Sequence, residues 1–376
     1  MRDHTVDYRL VCTNCSAKYP ENAQEFRCII CNGILEVSYD YGRLRLESNF
    51  RREKITHKKY AAFFPVNKRL VSLNEGGTEL RRDVRLKGAW EGNGLHLKVE
   101  TENPTRTFKD RGSSVEISKA RELGFGEVCC ASTGNMGLSL ARYAREEGMK
   151  CTIFISKSAN KEKIAKIRVQ GAAIREIGGD FNDSLNAAES FAAKREVFLC
   201  GDYHYRKEGQ KSLLFEAIEQ MGYKVPDYII VQVGNSTLLA AIFKGLKEFK
   251  YLGLISRIPR LIAVQSSRCD PIVRAYENER GVNYVRPKTR ADAIAVGYPT
   301  FGFEGLNAVR ATEGFAERVK DSEITKAISL LLKSTGIAAE PGGAAGLAGF
   351  LKICREKPKM FKGKEILVII TGNNEE

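Results

Sequence analysis

The chain has 376 residues, 43% of them hydrophobic, and a formal net charge of +14. That length suffices for two domains with a sizeable core. No run reaches the roughly 18 consecutive apolar residues of a membrane span, and Met1-Arg-Asp-His-Thr-Val-Asp7 offers no apolar signal core, so a cytoplasmic protein without membrane partners is expected. The positive charge is spread; its densest run, Arg51-Arg-Glu-Lys-Ile-Thr-His-Lys-Lys59, lies in a linker, and nucleic-acid binding is not expected as the main function.

Taken in chain order, the first signal is Cys12-Thr-Asn-Cys15, followed after twelve residues by Cys28-Ile-Ile-Cys31. Two such knuckles can set four thiolates tetrahedrally around zinc, which a module of this size needs because it has little core of its own. A zinc-ribbon-like module over 1–45 is expected, with Cys12, Cys15, Cys28 and Cys31 as ligands; a metal-free pair of turns is the alternative. Cys129, Cys130, Cys151, Cys200, Cys269 and Cys354 lie mostly in apolar runs and read as buried free thiols.

Gly94 to Glu100 alternates apolar and polar residues and predicts a strand. Asn103-Pro104 stops regular structure, and a helical pattern runs from about Ser113 to Leu123. Lys109 therefore sits in a strand-loop-helix unit. An amine desolvated there by walls such as Phe108 can lose its proton and form a Schiff base with a carbonyl cofactor; a surface lysine paired with Asp110 is the plain alternative. Strands are then predicted over 128–131, 151–155, 173–177, 228–233, 260–264 and 366–370. Helices are predicted over 136–147, 161–169, 237–249, 324–333 and 344–354. Such alternation predicts parallel sheets covered by helices on both faces, with ligands at the carboxyl ends of the strands. Ser132-Thr-Gly-Asn-Met-Gly137 and Val233-Gly-Asn-Ser-Thr237 both follow a strand and open a helix, where backbone N–H groups can meet an anion.

Lys109 and its flanks, Asn103-Pro-Thr-Arg-Thr-Phe-Lys-Asp-Arg-Gly112, resemble the lysine motif Asn-Pro-Thr-Gly-Ser-Phe-Lys-Asp-Arg-Gly of threonine synthases, which are pyridoxal-phosphate enzymes of fold type II. Glu75-Gly-Gly-Thr-Glu-Leu80, Ser132 to Gly137, Glu208-Gly-Gln-Lys-Ser212, Pro226 to Asn235, Glu340-Pro-Gly-Gly-Ala-Ala345 and Ile370-Thr-Gly-Asn373 extend the resemblance over roughly residues 70 to 373. It implies an α/β fold of two parallel-sheet, three-layer domains: a large cofactor-binding domain of 46–112 and 198–376, and a small mobile domain of 113–197. It implies pyridoxal 5'-phosphate as cofactor, with Lys109 as the catalytic lysine, Asn135 on the ring hydroxyl, Thr371 at the pyridine nitrogen, and Val233, Gly234, Asn235, Ser236 and Thr237 around the phosphate. Ser132, Thr133 and Gly134 would hold the substrate carboxylate. A homodimer acting on a small phosphorylated amino acid is implied as well.

Some positions depart from the family. Arg106-Thr107 replaces Gly-Ser in the lysine motif, Ser236-Thr237-Leu238 replaces the glycine-rich half of the phosphate loop, and Cys200-Gly201 replaces an Asn-Ser pair, while Arg206 is kept. Arg106 and Arg206 are the expected contacts of the substrate phosphate. The implied reaction is conversion of O-phospho-L-homoserine and water to L-threonine and phosphate. The alternative is a paralogue, either cysteate synthase-like, with β-replacement on O-phosphoserine, or a serine or threonine dehydratase.

Overall fold

The computed structural model describes residues 7–43, 50–132, 134–157 and 161–373, and divides into two compact units. The first comprises 1–77 and 109–213, the second 78–108 and 214–376. None of the described helices is long and apolar enough to cross a membrane.

The N-terminal module is a three-stranded antiparallel sheet of β1 (Tyr8–Cys12), β2 (Lys18–Tyr19) and β3 (Leu35–Tyr39) in the order β2-β1-β3. Two short strands, β4 (Leu80–Arg81) and β5 (Leu95–Val99), belong to the second unit. The chain then alternates helix and strand: α1 (Lys109–Glu122), β6 (Glu127–Ser132), α2 (Asn135–Glu146), β7 (Lys150–Ser156), α3 (Lys161–Val169), β8 (Ala173–Ile177), α4 (Phe181–Arg195), β9 (Phe198–Leu199) and α5 (His204–Gln210). After α6 (Ser212–Gln220) the second unit continues with β10 (Tyr228–Gln232), α7 (Thr237–Tyr251), β11 (Arg260–Ser266), α8 (Pro271–Glu277), α9 (Gly302–Ala311), β12 (Phe315–Val319), α10 (Asp321–Thr335), α11 (Pro341–Glu356) and β13 (Ile366–Ile370).

In the first unit β8-β7-β6-β9 form a wholly parallel sheet. Its core includes Cys129, Ala131, Phe154, Ala188 and Leu199. Helix α4 is fixed at its start by a capping box in which the Asp180 side chain accepts from the N–H groups of Asn182 and Asp183 while Asp183 accepts from that of Asp180. The N-terminal module belongs to the same unit and is tied into it by polar contacts. Tyr39 donates its hydroxyl to Glu208 at 2.8 Å, Lys207 pairs with Glu36, and Arg27 with Glu189 at 3.1 Å.

The second unit holds a six-stranded sheet in the order β12-β11-β10-β13-β5-β4, parallel except at the β4 edge. Strand β13, Ile-Leu-Val-Ile-Ile, is buried at every residue, as a parallel strand covered on both faces must be. Helix α11 lies on this sheet at close range because its contact face is made of glycines. A β-carbon at Gly349 would come within 2.5 Å of Val264, and one at Gly343 within 2.3 Å of the Gly372 carbonyl oxygen. Strands β5, β10 and β13 all run the same way, so the segments following Val99, Gln232 and Ile370 gather at one end of the sheet.

Candidate active site

Lys109 is the first residue of α1 in the first unit. Part of its side chain stays accessible, yet the amine is enclosed, and desolvation holds its pKa below the ordinary lysine range. Asp202 and Glu116 pull the other way, while Arg206 adds to the lowering. Helix α1 is buried almost throughout although it is mostly polar, because its polar groups are met from neighbouring helices. The Ser139 hydroxyl of α2 lies 2.6 Å from Asp110 and 2.7 Å from Ser113. Arg111 donates to Ser212 at 3.2 Å. Nearby, Glu75 accepts from the Tyr143 hydroxyl at 2.7 Å and from the Leu73 N–H at 2.8 Å, which explains the acid in the Glu75-Gly-Gly-Thr segment.

Glu208, Gly209 and Gln210 lie on α5, with Lys211 as its C-cap, and this helix crosses α1 where both helices carry glycine. A β-carbon at Gly209 would stand 2.0 Å from the Arg111 carbonyl oxygen, and one at Gly112 2.7 Å from the Arg206 side chain. This crossing places Arg206 under α1: its guanidinium pairs with Glu116 and donates to Ser113 at 3.2 Å and to the Lys109 carbonyl at 3.3 Å. Burial pushes the Glu116 carboxyl up to about 7 against the pull of Arg206. Of the two arginines expected at a substrate phosphate, Arg206 is thus enclosed and ion-paired, whereas Arg106 exposes its side chain.

The junction from β6 to α2 carries Ser132, Gly134 and Asn135; Thr133 lies outside the described residues. The buried Ser132 Oγ accepts from the N–H of Gly134 at 2.9 Å and of Gly137 at 2.7 Å, so it caps the first turn of α2. Gly134 has φ 142°, a conformation that a side chain would strain. Asn135 opens α2 and is buried.

In the second unit the loop after β10 leads into α7. The Asn235 side chain oxygen accepts from the Thr300 N–H at 3.0 Å, and its carbonyl from Phe301 at 3.1 Å, which fastens the loop to the 299–301 turn. Gly234 and Gly305 leave room: a β-carbon at Gly305 would stand 1.8 Å from Ser236 Oγ. Ser236 adopts the left-handed conformation, φ 68°, and its hydroxyl is buried with no hydrogen-bond partner among the described residues. A helix N-terminus beside an unmatched buried hydroxyl suits an anion such as a phosphate.

Thr371 follows β13. Its carbonyl accepts from the Phe108 N–H at 3.0 Å, and the Asn373 N–H donates to the Arg106 carbonyl at 3.0 Å, so 106–108 and 371–373 pair as short antiparallel segments. Arg106 sits at φ 59°, the left-handed region, in the position where the related lysine motif has glycine. Sequence reasoning overlooked Gln232, the polar end of the apolar run Tyr228–Val231, whose amide nitrogen lies 2.6 Å from Thr371 Oγ1. A polar residue closing an otherwise continuous apolar strand was the available signal.

The Sγ atoms of Cys12, Cys15, Cys28 and Cys31 all lie within 4.8 Å of one another, against about 3.8 Å between sulfurs around a tetrahedral zinc. Burial alone would raise the Cys28 thiol, but hydrogen bonds from Tyr19 and from the Cys31 and Ile30 N–H groups outweigh it and bring the pKa to about 6. The donor set fits zinc.

Residues 71–372 match the family model of pyridoxal-phosphate dependent enzymes. The threonine synthase of Methanocaldococcus jannaschii is 35% identical over 371 residues, covering 96% of this chain and 91% of that protein. That of Bacillus sp. (strain ULM1) is 37% identical over 321 residues, covering 84% and 88%. Among solved structures, maize serine racemase shares the fold with a TM-score of 0.69 at 21% identity, covering 80% of this chain and 88% of that one. The chain belongs to the pyridoxal-phosphate dependent enzymes, and within them to the threonine synthase family.

Proposed function

We propose that this chain is a threonine synthase, converting O-phospho-L-homoserine and water to L-threonine and phosphate. The observation that carries the reading is the enclosed Lys109 amine, held below the ordinary lysine range at the start of α1, in a chain that aligns almost end to end with threonine synthases.

The residue types in these motifs suit pyridoxal phosphate. Lys109 would hold its aldehyde, Asn135 its ring hydroxyl and Thr371 its ring nitrogen. Val233, Gly234, Asn235, Ser236 and Thr237 would hold its phosphate, with the unmatched Ser236 hydroxyl as donor. When bound, the group supplies an electron sink that makes protons near the substrate's amino-bearing carbon removable. Lys109, whose enclosure lowers its pKa and so favours the uncharged amine, would take a proton from one carbon and return it to the next. Such relocation is what loss of phosphate from Cγ and addition of water at Cβ require.

Ser132, Thr133 and Gly134 would hold the substrate carboxylate. Ser132 Oγ accepts two backbone N–H groups, which leaves its own proton to donate. Arg106 would meet the substrate phosphate with a bidentate fork. Arg206 shares that assignment through its motif, and would reach a substrate by giving up Glu116. A cytoplasmic location and a homodimer belong to the same proposal on the strength of the family alone.

The test is to incubate the protein and pyridoxal phosphate with O-phosphohomoserine, with Lys109→Ala as control. Threonine and phosphate in equal amounts from wild type alone support the reading. Preferred turnover of O-phosphoserine with sulfite would replace it with β-replacement.

A further inference from the structure

Gln232 is 5% exposed, and its side chain nitrogen lies 3.0 Å from the Gly343 carbonyl oxygen and 2.6 Å from Thr371 Oγ1. A carbonyl oxygen can only accept, so the atom facing Gly343 must be the amide nitrogen, and this fixes which way round the amide sits. Both of its N–H groups are then spent, one on Gly343 and one on Thr371. The Thr371 hydroxyl is thereby made an acceptor toward Gln232, and its own proton must go elsewhere. Among the described residues no acceptor for that proton is found. The arrangement is built into the packing: a β-carbon at Gly346 of α11 would stand 2.7 Å from Gln232 Oε1, so the helix leaves space for this amide. Gln232 Oε1 itself has no partner among the described residues. The side chain is therefore held by the two bonds it donates.

We propose that Gln232 is a positioning residue that commits the Thr371 hydroxyl to donation, and so selects the unprotonated form of the cofactor's ring nitrogen. The inference rests on the cofactor placement proposed above. A hydroxyl free to rotate could accept from a protonated ring nitrogen as readily as donate to a neutral one. Accepting from Gln232 leaves the hydroxyl a second lone pair, but its proton finds no other acceptor among the described residues, so donation to a neutral ring nitrogen is the favoured arrangement. The consequence for the reaction is a tempered electron sink, set by a side chain that does not itself touch the cofactor.

The experiment loads the wild-type protein, Gln232→Leu, Gln232→Glu and Thr371→Ala with pyridoxal phosphate carrying 15N in the ring, and follows the nitrogen resonance and the cofactor dissociation constant from about pH 6 to 9. Wild type should show an unprotonated nitrogen across the range. Gln232→Leu should weaken cofactor binding about 10-fold, the loss of one oriented hydrogen bond. Gln232→Glu presents an acceptor to Thr371 and should move the nitrogen resonance toward the protonated position at the acid end. Adding Gln232→Leu to Thr371→Ala should have no further effect on cofactor binding, because the two residues act in series; a purely structural role would add. Variants that bind the cofactor with the wild-type nitrogen signal and affinity, or fully additive losses, overturn the inference alone. A wild-type protein that takes up no cofactor overturns the placement of Thr371 and the inference together.

Discussion

The two units keep their interiors in opposite ways. The first buries Arg111, Arg206, Lys119, Lys207 and Lys211, each matched: Arg206 by Glu116, Lys119 by Glu122 at 2.6 Å, Lys207 by Glu36, Lys211 by Glu208 at 2.5 Å, and Arg111 by Ser212. The second is built on apolar strands, with Lys98 and Glu216, 3.0 Å apart, as a wholly buried ion pair. Removing one partner of a buried pair costs about 3–5 kcal/mol, so a charged interior is rigid in its pairings. It is also a low-dielectric place where an extra amine is held toward neutrality. Lys109, the proposed reactive lysine, lies in the charged unit, and the Ser236 hydroxyl and the Gln232–Thr371 pair lie in the unit that offers neutral donors.

The largest effect expected is at the amine. Lys109→Ala should lower kcat/KM for O-phosphohomoserine by about 10⁴-fold or more, measured by phosphate release. The same residue sharpens the contrast in the cofactor-free protein. A lysine whose folded pKa is depressed binds fewer protons folded than unfolded, so stability rises with pH across the window between its folded and unfolded values. The deficit is full below that window and gone above it. Lys109→Met should therefore stabilise the cofactor-free protein more at pH 7 than near pH of about 11; an equal gain at both would mean that the amine is not desolvated.

The two strand-to-helix loops give the next pair. Ser132→Ala removes the acceptor of two buried N–H groups and should cost about 2 kcal/mol of stability by denaturant unfolding. Arg106→Gly should relieve left-handed strain, worth about 1 kcal/mol, while kcat/KM for the phosphorylated substrate falls about 10- to 100-fold through loss of the guanidinium. Unchanged turnover would remove Arg106 from the substrate site. Ser236→Ala, in contrast to Ser132→Ala, should leave the unfolding midpoint of the cofactor-free protein where it is and weaken cofactor binding about 10-fold. A stability loss matching that of Ser132→Ala would show the two loops to be alike.

Much of this was legible in the residues. Strand 366–370 and helix 161–169 fall where the apolar patterns put them, because a continuous run of isoleucine, leucine and valine has few alternatives to a buried parallel strand. The four cysteines converge as their spacing implied. Helix α5, His-Tyr-Arg-Lys-Glu-Gly-Gln, was not legible: it is buried on every side, so it carries no apolar stripe, and its burial depends on Gly112 and Gly209 meeting in a crossing that no local pattern encodes. Helix α1 begins at Lys109, earlier than the apolar periodicity, since Asp110 and Ser113 are satisfied by Ser139 from another helix. Helix α4 was readable from its Asp180 cap and went unnoticed beside weaker periodicity.

The strand order of the second unit also sets a timetable. Strand β5 lies between β4 and β13, and pairs Ile366 with Leu95 and Ile370 with Val99. During synthesis β5 leaves the ribosome long before its parallel partner exists. At about 5–20 residues per second the wait is on the order of 13–53 s. Until then Leu95, Leu97 and Val99 lack the parallel partner they have in the folded sheet, and an unpaired apolar edge is a template for pairing with other chains. The nascent protein is expected to be most vulnerable to aggregation and most dependent on chaperones in this interval, and a fragment ending before Ile366 should be the insoluble one.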